Sequence, residues 1–174
     1  MQKSEARTPY PGTSASLGQM LGLAEAYLAA AYKLMDYETG NPLQSAPMRL
    51  VSIQAVELYL NAYLLSSGEC AATIRALQHD LGKRSELAIK AGLVLRKRTE
   101  AHLLGLSSAR EYLTSRYGPE LAHSWSQLSA LLATVKEVSE KVHPAVRAAI
   151  TRQFAERPRD PNAAACADAT GAKL

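Results

Sequence analysis

The sequence predicts an all-α protein, an antiparallel up-and-down bundle of about five helices. Apolar residues recur at spacings of three and four through most of the chain, capping residues stand at the starts of those segments, and no stretch alternates with the period of a strand. The bundle is expected to form around Ala46–Leu65, where Met48, Ile53, Val56, Leu60, Leu64 and their apolar neighbours cover nearly the whole helical circumference. A helix apolar on all sides belongs in the interior. Gln54, Glu57 and Asn61 fall within a wedge of roughly 60°, so the polar groups of this helix form one narrow stripe.

Taken in order, residues 1–15 hold Pro9, Pro11 and Gly12 without apolar periodicity and read as a flexible lead-in. Ser16 followed by Gln19 has capping-box spacing and opens a first helix to about Tyr37, closed by Gly40-Asn41-Pro42. Ser45 is the expected N-cap of the central helix, which ends at Ser66-Ser67-Gly68. A kinked connector follows: a short helix within Glu69–Leu77, then a segment capped by Asp80 that runs to Gly92 with Leu81, Leu87, Ala88 and Ala91 inward. Leu95 to Leu113 suggests another helix, bent near Gly105–Ser108. The last long helix is expected over Glu120–Val142, with a seam through Leu121, Trp125, Leu128, Leu132, Val135, Val138 and Val142. His143-Pro144 should interrupt it before a short coda to Ala155, which makes residues 16–155 the bundle and 156–174 a disordered tail.

Composition narrows the class. The 174 residues are 47% hydrophobic, enough for one domain with a core. Cys70 and Cys166 lie far apart, which fits a reducing, cytoplasmic setting, and neither a membrane span nor a secretory leader is expected. Residues 71–116 carry nine basic against four acidic side chains, including Lys83, Arg84, Lys90, the run Arg96-Lys97-Arg98, Arg110 and Arg116. Two readings stand: a phosphate-binding surface, or ordinary solvated charge. The triad at the start of a helix opposes the helix dipole, which mildly favours a bound anion.

Three stretches in sequence carry a resemblance: an apolar helix with an internal Glu (AVELYLNAYLLSSGE), a His-Asp-Leu turn (RALQHDLGKRSELAIKAGL), and an Arg-Tyr turn (REYLTSRYGPE) leading into a final helix. Together they resemble the HEPN family over roughly residues 46–142. The resemblance implies a helical bundle that dimerises and engages nucleotide, RNA or a partner protein, in the setting of nucleotidyltransferase or toxin–antitoxin systems. Some members are metal-independent ribonucleases that use an Arg, four to six intervening residues and a His, brought together across a dimer. Two pairs here have that spacing, Arg116…His123 and Arg96…His102. In such a pair the His moves protons while the Arg stabilises charge on the phosphate. Tyr117 and Lys97 stand after these arginines where the nuclease members carry a polar residue. The sequence therefore favours a non-catalytic member, with Arg116 bridging carbonyls or a carboxylate at its turn.

The remaining candidates are ligand-binding ones: Glu57, Asn61 and Tyr59 on the central helix, and Arg96, Lys97 and Arg98. A carboxylate on so apolar a helix needs a partner, either a buried network of tyrosines (Tyr27, Tyr32, Tyr59, Tyr63) and Arg49, or a ligand in a small pocket between the first two helices. His79 is expected to satisfy backbone groups at a helix end. No metal and no cofactor is expected, because no His, Cys or carboxylate pair has ligand spacing and no phosphate loop is present.

Overall fold

In the computed structural model of the protein, residues 14–35 and 41–156 are described, together with Gly12. All regular structure among them is helical, and the architecture is an all-α helical bundle. Seven α-helices follow in order: α1 (Leu17–Leu34), α2 (Ala46–Ser66), α3 (Ala71–Ala76), α4 (Leu81–Lys90), α5 (Lys97–Ser108), α6 (Glu111–Tyr117) and α7 (Leu128–Glu156). Two 3-10 turns, Pro42–Ser45 and Pro119–Ser124, precede α2 and α7. The expected lead-in over 1–15 and tail over 156–174 fall almost entirely outside the described residues, as do the Tyr37 and Gly40 end of the first helix and Cys166.

α2 is the axis. It packs along α1 on one side and α7 on another, while α4 and α6 cover the rest. Ile53, Val56, Tyr59, Leu60 and Leu64 are all buried, as the apolar circumference requires. α1 begins with the expected capping box: the Ser16 hydroxyl accepts from Gln19 N–H, and the Gln19 side chain accepts from Ser16 N–H. α2 ends in a Schellman motif. Gly68 N–H bonds to Leu65 O and Glu69 N–H to Leu64 O, with Gly68 at φ +94 where a Cβ would be strained. α4 ends the same way on Gly92.

Four expectations need correction. Ser45 does not cap α2, because the chain enters through a 3-10 turn; Asn41 caps that turn, and the Ser45 hydroxyl donates to Pro42 O instead. Ala91 is exposed, since α4 has ended by then. The bend expected near Gly105–Ser108 is a full break at Arg110, beyond which α6 starts anew. The last long helix begins at Leu128 and runs without interruption through Pro144 to Glu156. Leu121 therefore lies on an exposed turn outside the seam, which runs through Leu131, Val135, Val138, Val142, Val146 and Ala149. Pro144 sits on the exposed side of α7, where water can serve the carbonyl it leaves without a donor. The apolar contacts on either side hold the helix together across it.

A proline in a helix interior is about 3 kcal/mol less favourable than alanine. Pro144→Ala should accordingly raise stability, by up to about 3 kcal/mol, in a chemical denaturation experiment, with no change in helical content by circular dichroism.

Candidate functional site

The polar stripe of α2 does not meet a tyrosine network. Glu57 and Asn61 face the turn between α3 and α4 and the first turn of α4, where Arg84 lies 1% exposed. Arg84 Nε donates to Asn61 Oδ1 at 2.7 Å and Nη2 donates to Gln78 O at 2.6 Å, while Nη2 stands 3.7 Å from Glu57 Oε1. One buried guanidinium thus ties α2 to the carbonyls of the turn. Desolvation pushes its pKa down from the usual arginine range, and Glu57 and Asp80 oppose the shift. Asp80 caps α4 as expected, accepting from Lys83 N–H, a bond that holds its carboxyl below the usual range.

The same turn presents His79. Its Nδ1–H donates to Glu57 Oε2 at 3.1 Å, and its ring packs on Tyr112 with centroids 4.8 Å apart. Carboxylate and phenol hold the imidazole, and in the neutral ring Nε2 is left as an acceptor. His79 does not satisfy backbone groups at a helix end; the side chain reaches across to α2. It forms the shared wall of two clefts. The first, about 380 Å³, has an apolar floor from Met20, Leu65 and Ile74 and a polar rim including Glu57, Asn61 and His79. The second, about 580 Å³, lies on the side of Lys83, Ser107, Arg110 and Tyr112, with the carboxylates of Asp80 and Glu86 also in its lining.

Backbone strain marks the second cleft. Among the described residues only Gln78 and Arg110 are non-glycines with positive φ, both at +50, and both line this cleft. Each follows the end of a short helix, the place that Gly68 and Gly92 hold after α2 and α4. A side chain in the left-handed region costs about 1–2 kcal/mol.

Other expected site residues are placed apart. Tyr59 is buried, and its hydroxyl lies outside the Glu57 network: burial, with Glu25 and Tyr32 nearby, pushes its pKa up to about 12. The Arg96-Lys97-Arg98 run is exposed at the start of α5, but the anion there is the protein's own. Glu137 of α7 accepts from Arg96 N–H at 2.7 Å and from the Thr99 hydroxyl, and pairs with Lys141 at 3.0 Å. Burial pushes the Glu137 carboxyl up, but these donors outweigh it and hold it below the usual range. His102 is turned away from Arg96 into the α5–α7 interface, its Nδ1 bonded to Thr134 at 2.8 Å.

Arg116 and His123 are both exposed, and no hydrogen bond or ion pair joins them among the described residues. Nor does Arg116 bridge its turn, as the sequence suggests. That work falls to Arg49 and Glu111, a buried pair at 2.7 Å whose carboxylate also accepts from Ser126 N–H at 2.9 Å. Neither Arg/His pair is assembled within the chain. Among the described residues, no three His, Cys, Asp or Glu side chains gather as metal ligands would.

The two residues that complete the site, Arg84 and His79, are the ones sequence reading misassigns. A signal for Arg84 exists: with Asp80 as cap, Leu81, Arg84, Ser85 and Ala88 share one face of α4, so Arg84 must point inward with its apolar neighbours. Nothing local indicates that His79 reaches a carboxylate 22 residues earlier.

Arg84→Ala should lower stability by about 3–5 kcal/mol, since it leaves Glu57 without its buried cation. Arg116→Ala should stay within about 0.5 kcal/mol. Paired denaturation curves would show the contrast, and Arg110→Gly should gain about 1 kcal/mol by relieving the left-handed strain. Burial pushes the His102 pKa down, with Glu111 opposing and Arg49 adding to the shift. The unfolded chain then binds a proton at His102 more readily than the folded one. Stability should fall as pH drops below about 6.5, the ordinary histidine value, and His102→Gln should flatten that part of the profile.

Comparison with models of known protein families, with curated proteins and with solved structures finds no match for this chain.

Proposed function

We propose that this protein is a non-catalytic helical binding module whose ligand enters the first cleft, against Glu57, Asn61 and His79. One observation carries the reading: Glu57 and Asn61, the polar pair of an otherwise buried helix, line an open cavity as well as meeting Arg84 of α4. A cavity of this size, apolar below and with few polar groups at its rim, is the form small-ligand sites take. Asn61 spends its carbonyl on Arg84, which leaves its amide N–H groups for a ligand, while Glu57 supplies acceptor oxygens. A nucleotide offers both a planar apolar face and a hydrogen-bonding edge of that kind, and the HEPN resemblance favours the same class. RNA or a partner protein would meet the exposed Lys97 and Arg98 nearby in sequence rather than the cleft.

Neither Arg/His pair is assembled within one chain, so ribonuclease chemistry would need a second copy to bring Arg and His together. Self-association belongs to the reading through the resemblance, but α2 is not the surface for it, being covered within the chain. Leu23, Tyr32 and Met35 of α1 are exposed and supply apolar area for a second copy. No helix among the described residues is long and apolar enough to cross a membrane. A cytoplasmic setting completes the proposal.

Titration of the full chain with nucleoside monophosphates should give saturable shifts in the Asn61 side-chain amide signals. Asn61→Ala should weaken binding about ten-fold, the loss of one ligand hydrogen bond worth about 1.4 kcal/mol. RNA incubated with the protein should remain intact. An absence of shifts with every nucleotide would remove this ligand class, and metal-independent cleavage abolished by Arg116→Ala or His123→Ala would replace binding with catalysis. Sedimentation at tens of micromolar should show a dimer.

A further inference from the structure

We propose that the second cleft is a phosphate site, with His79 and Arg110 as the contacting groups. The proposal goes beyond the reading of the first cleft and can stand or fall without it.

Three independent features converge on this cleft. The first is the state of His79. Because Nδ1–H is given to the Glu57 carboxylate, Nε2 carries a lone pair in the neutral ring and can only accept. The ring cannot swing to trade roles freely, since Tyr112 packs against it and Glu57 is held in turn by Arg84. The second is Arg110. Its guanidinium has no hydrogen bond or ion pair with any described residue, whereas the other cation of the cleft, Lys83, stands 3.5 Å from Asp80. The third is where Arg110 is kept. A glycine would take its φ of +50 without strain, and glycines hold the corresponding positions after α2 and α4. The chain here bears a cationic side chain at a local backbone cost.

An acceptor lone pair and a cationic fork of donors that line one cleft complement an oxyanion that also bears a hydroxyl. Phosphate and its monoesters fit, because one of their protons titrates near neutral pH. The P–OH donates to His79 Nε2, and the charged oxygens accept from Arg110, for which a bidentate pairing is the favoured geometry. Glu57 supports the histidine from behind without touching the anion. A fully deprotonated oxyanion such as sulfate lacks the hydrogen that Nε2 requires. Discrimination between these two ions therefore separates a built site from simple attraction to positive charge.

The test is calorimetric titration of the full chain with inorganic phosphate and, in parallel, with sulfate at matched ionic strength. Phosphate should bind saturably and at least about ten-fold more tightly than sulfate, the difference that one lost charge-assisted hydrogen bond makes. Arg110→Gly, which suits the backbone and so keeps the fold, should weaken phosphate binding by about ten-fold or more. His79→Gln should erase the preference over sulfate while leaving a melting transition. Asn61→Ala, in the first cleft, should leave phosphate affinity unchanged. Equal affinity for the two ions, phosphate binding indifferent to Arg110→Gly, or no binding at millimolar phosphate would each overturn the proposal. None of those results bears on ligands of the first cleft, whose failure would be read in the Asn61 signals alone.

Discussion

Burial of α2 on every side is the constraint on which the rest of the structure depends. An apolar helix can be surrounded by any set of apolar faces, so hydrophobicity alone would not fix how the neighbours dock. The charges on α2 do that. Arg49 and Glu57 are 6% and 8% exposed, and a buried charge is tolerable only when paired and hydrogen-bonded. Arg49 finds Glu111, which fixes α6 and the approach to α7; Glu57 finds Arg84 and His79, which fixes α4 and the turn before it. The two partners lie near opposite ends of the covering segment, so both registers must be satisfied together.

The same requirement shapes the clefts. Arg84 uses its donors on the turn carbonyl of Gln78, on Asn61 and toward Glu57, which makes the α3–α4 turn rigid although it is short and carries a left-handed residue. A rigid turn with a fixed histidine is a better binding wall than a mobile loop, because little ordering entropy remains to be lost when a ligand arrives. Strain at Gln78 persists because this surrounding network over-determines the backbone.

Not all of the charge that looks like a basic face along the sequence lies on the surface. Arg84 is internal, and the backbone of Arg96 is capped by Glu137, a carboxylate contributed from 41 residues away. That carboxylate also serves Thr99 and Lys141, so the start of α5 has its negative partner without any external anion. Arg110, by contrast, keeps its guanidinium unspent. The difference between these arginines lies in what packs against them and not in their sequence neighbourhoods.

What the sequence determined by itself was local and periodic. The 3.6-residue recurrence gave the all-α class, the centrality of α2 and the polar wedge of Glu57 and Asn61, and short-range chemistry gave the caps at Ser16 and Asp80 and the stop at Gly68. Tertiary structure decided everything that depends on residues far apart in the chain. Pro144 stays helical because apolar contacts on both sides outweigh a lost hydrogen bond, a balance no window around it reveals. Arg116 is free because Glu111, not Arg116, carries the turn's ion pair, and the carboxylate's partner is 62 residues away on α2. His79 belongs to a site because it reaches 22 residues back to Glu57. Helix periodicity tells which way a side chain points, whereas the partner it meets is set by how whole helices dock, and that is settled by the few buried charges that must be neutralised.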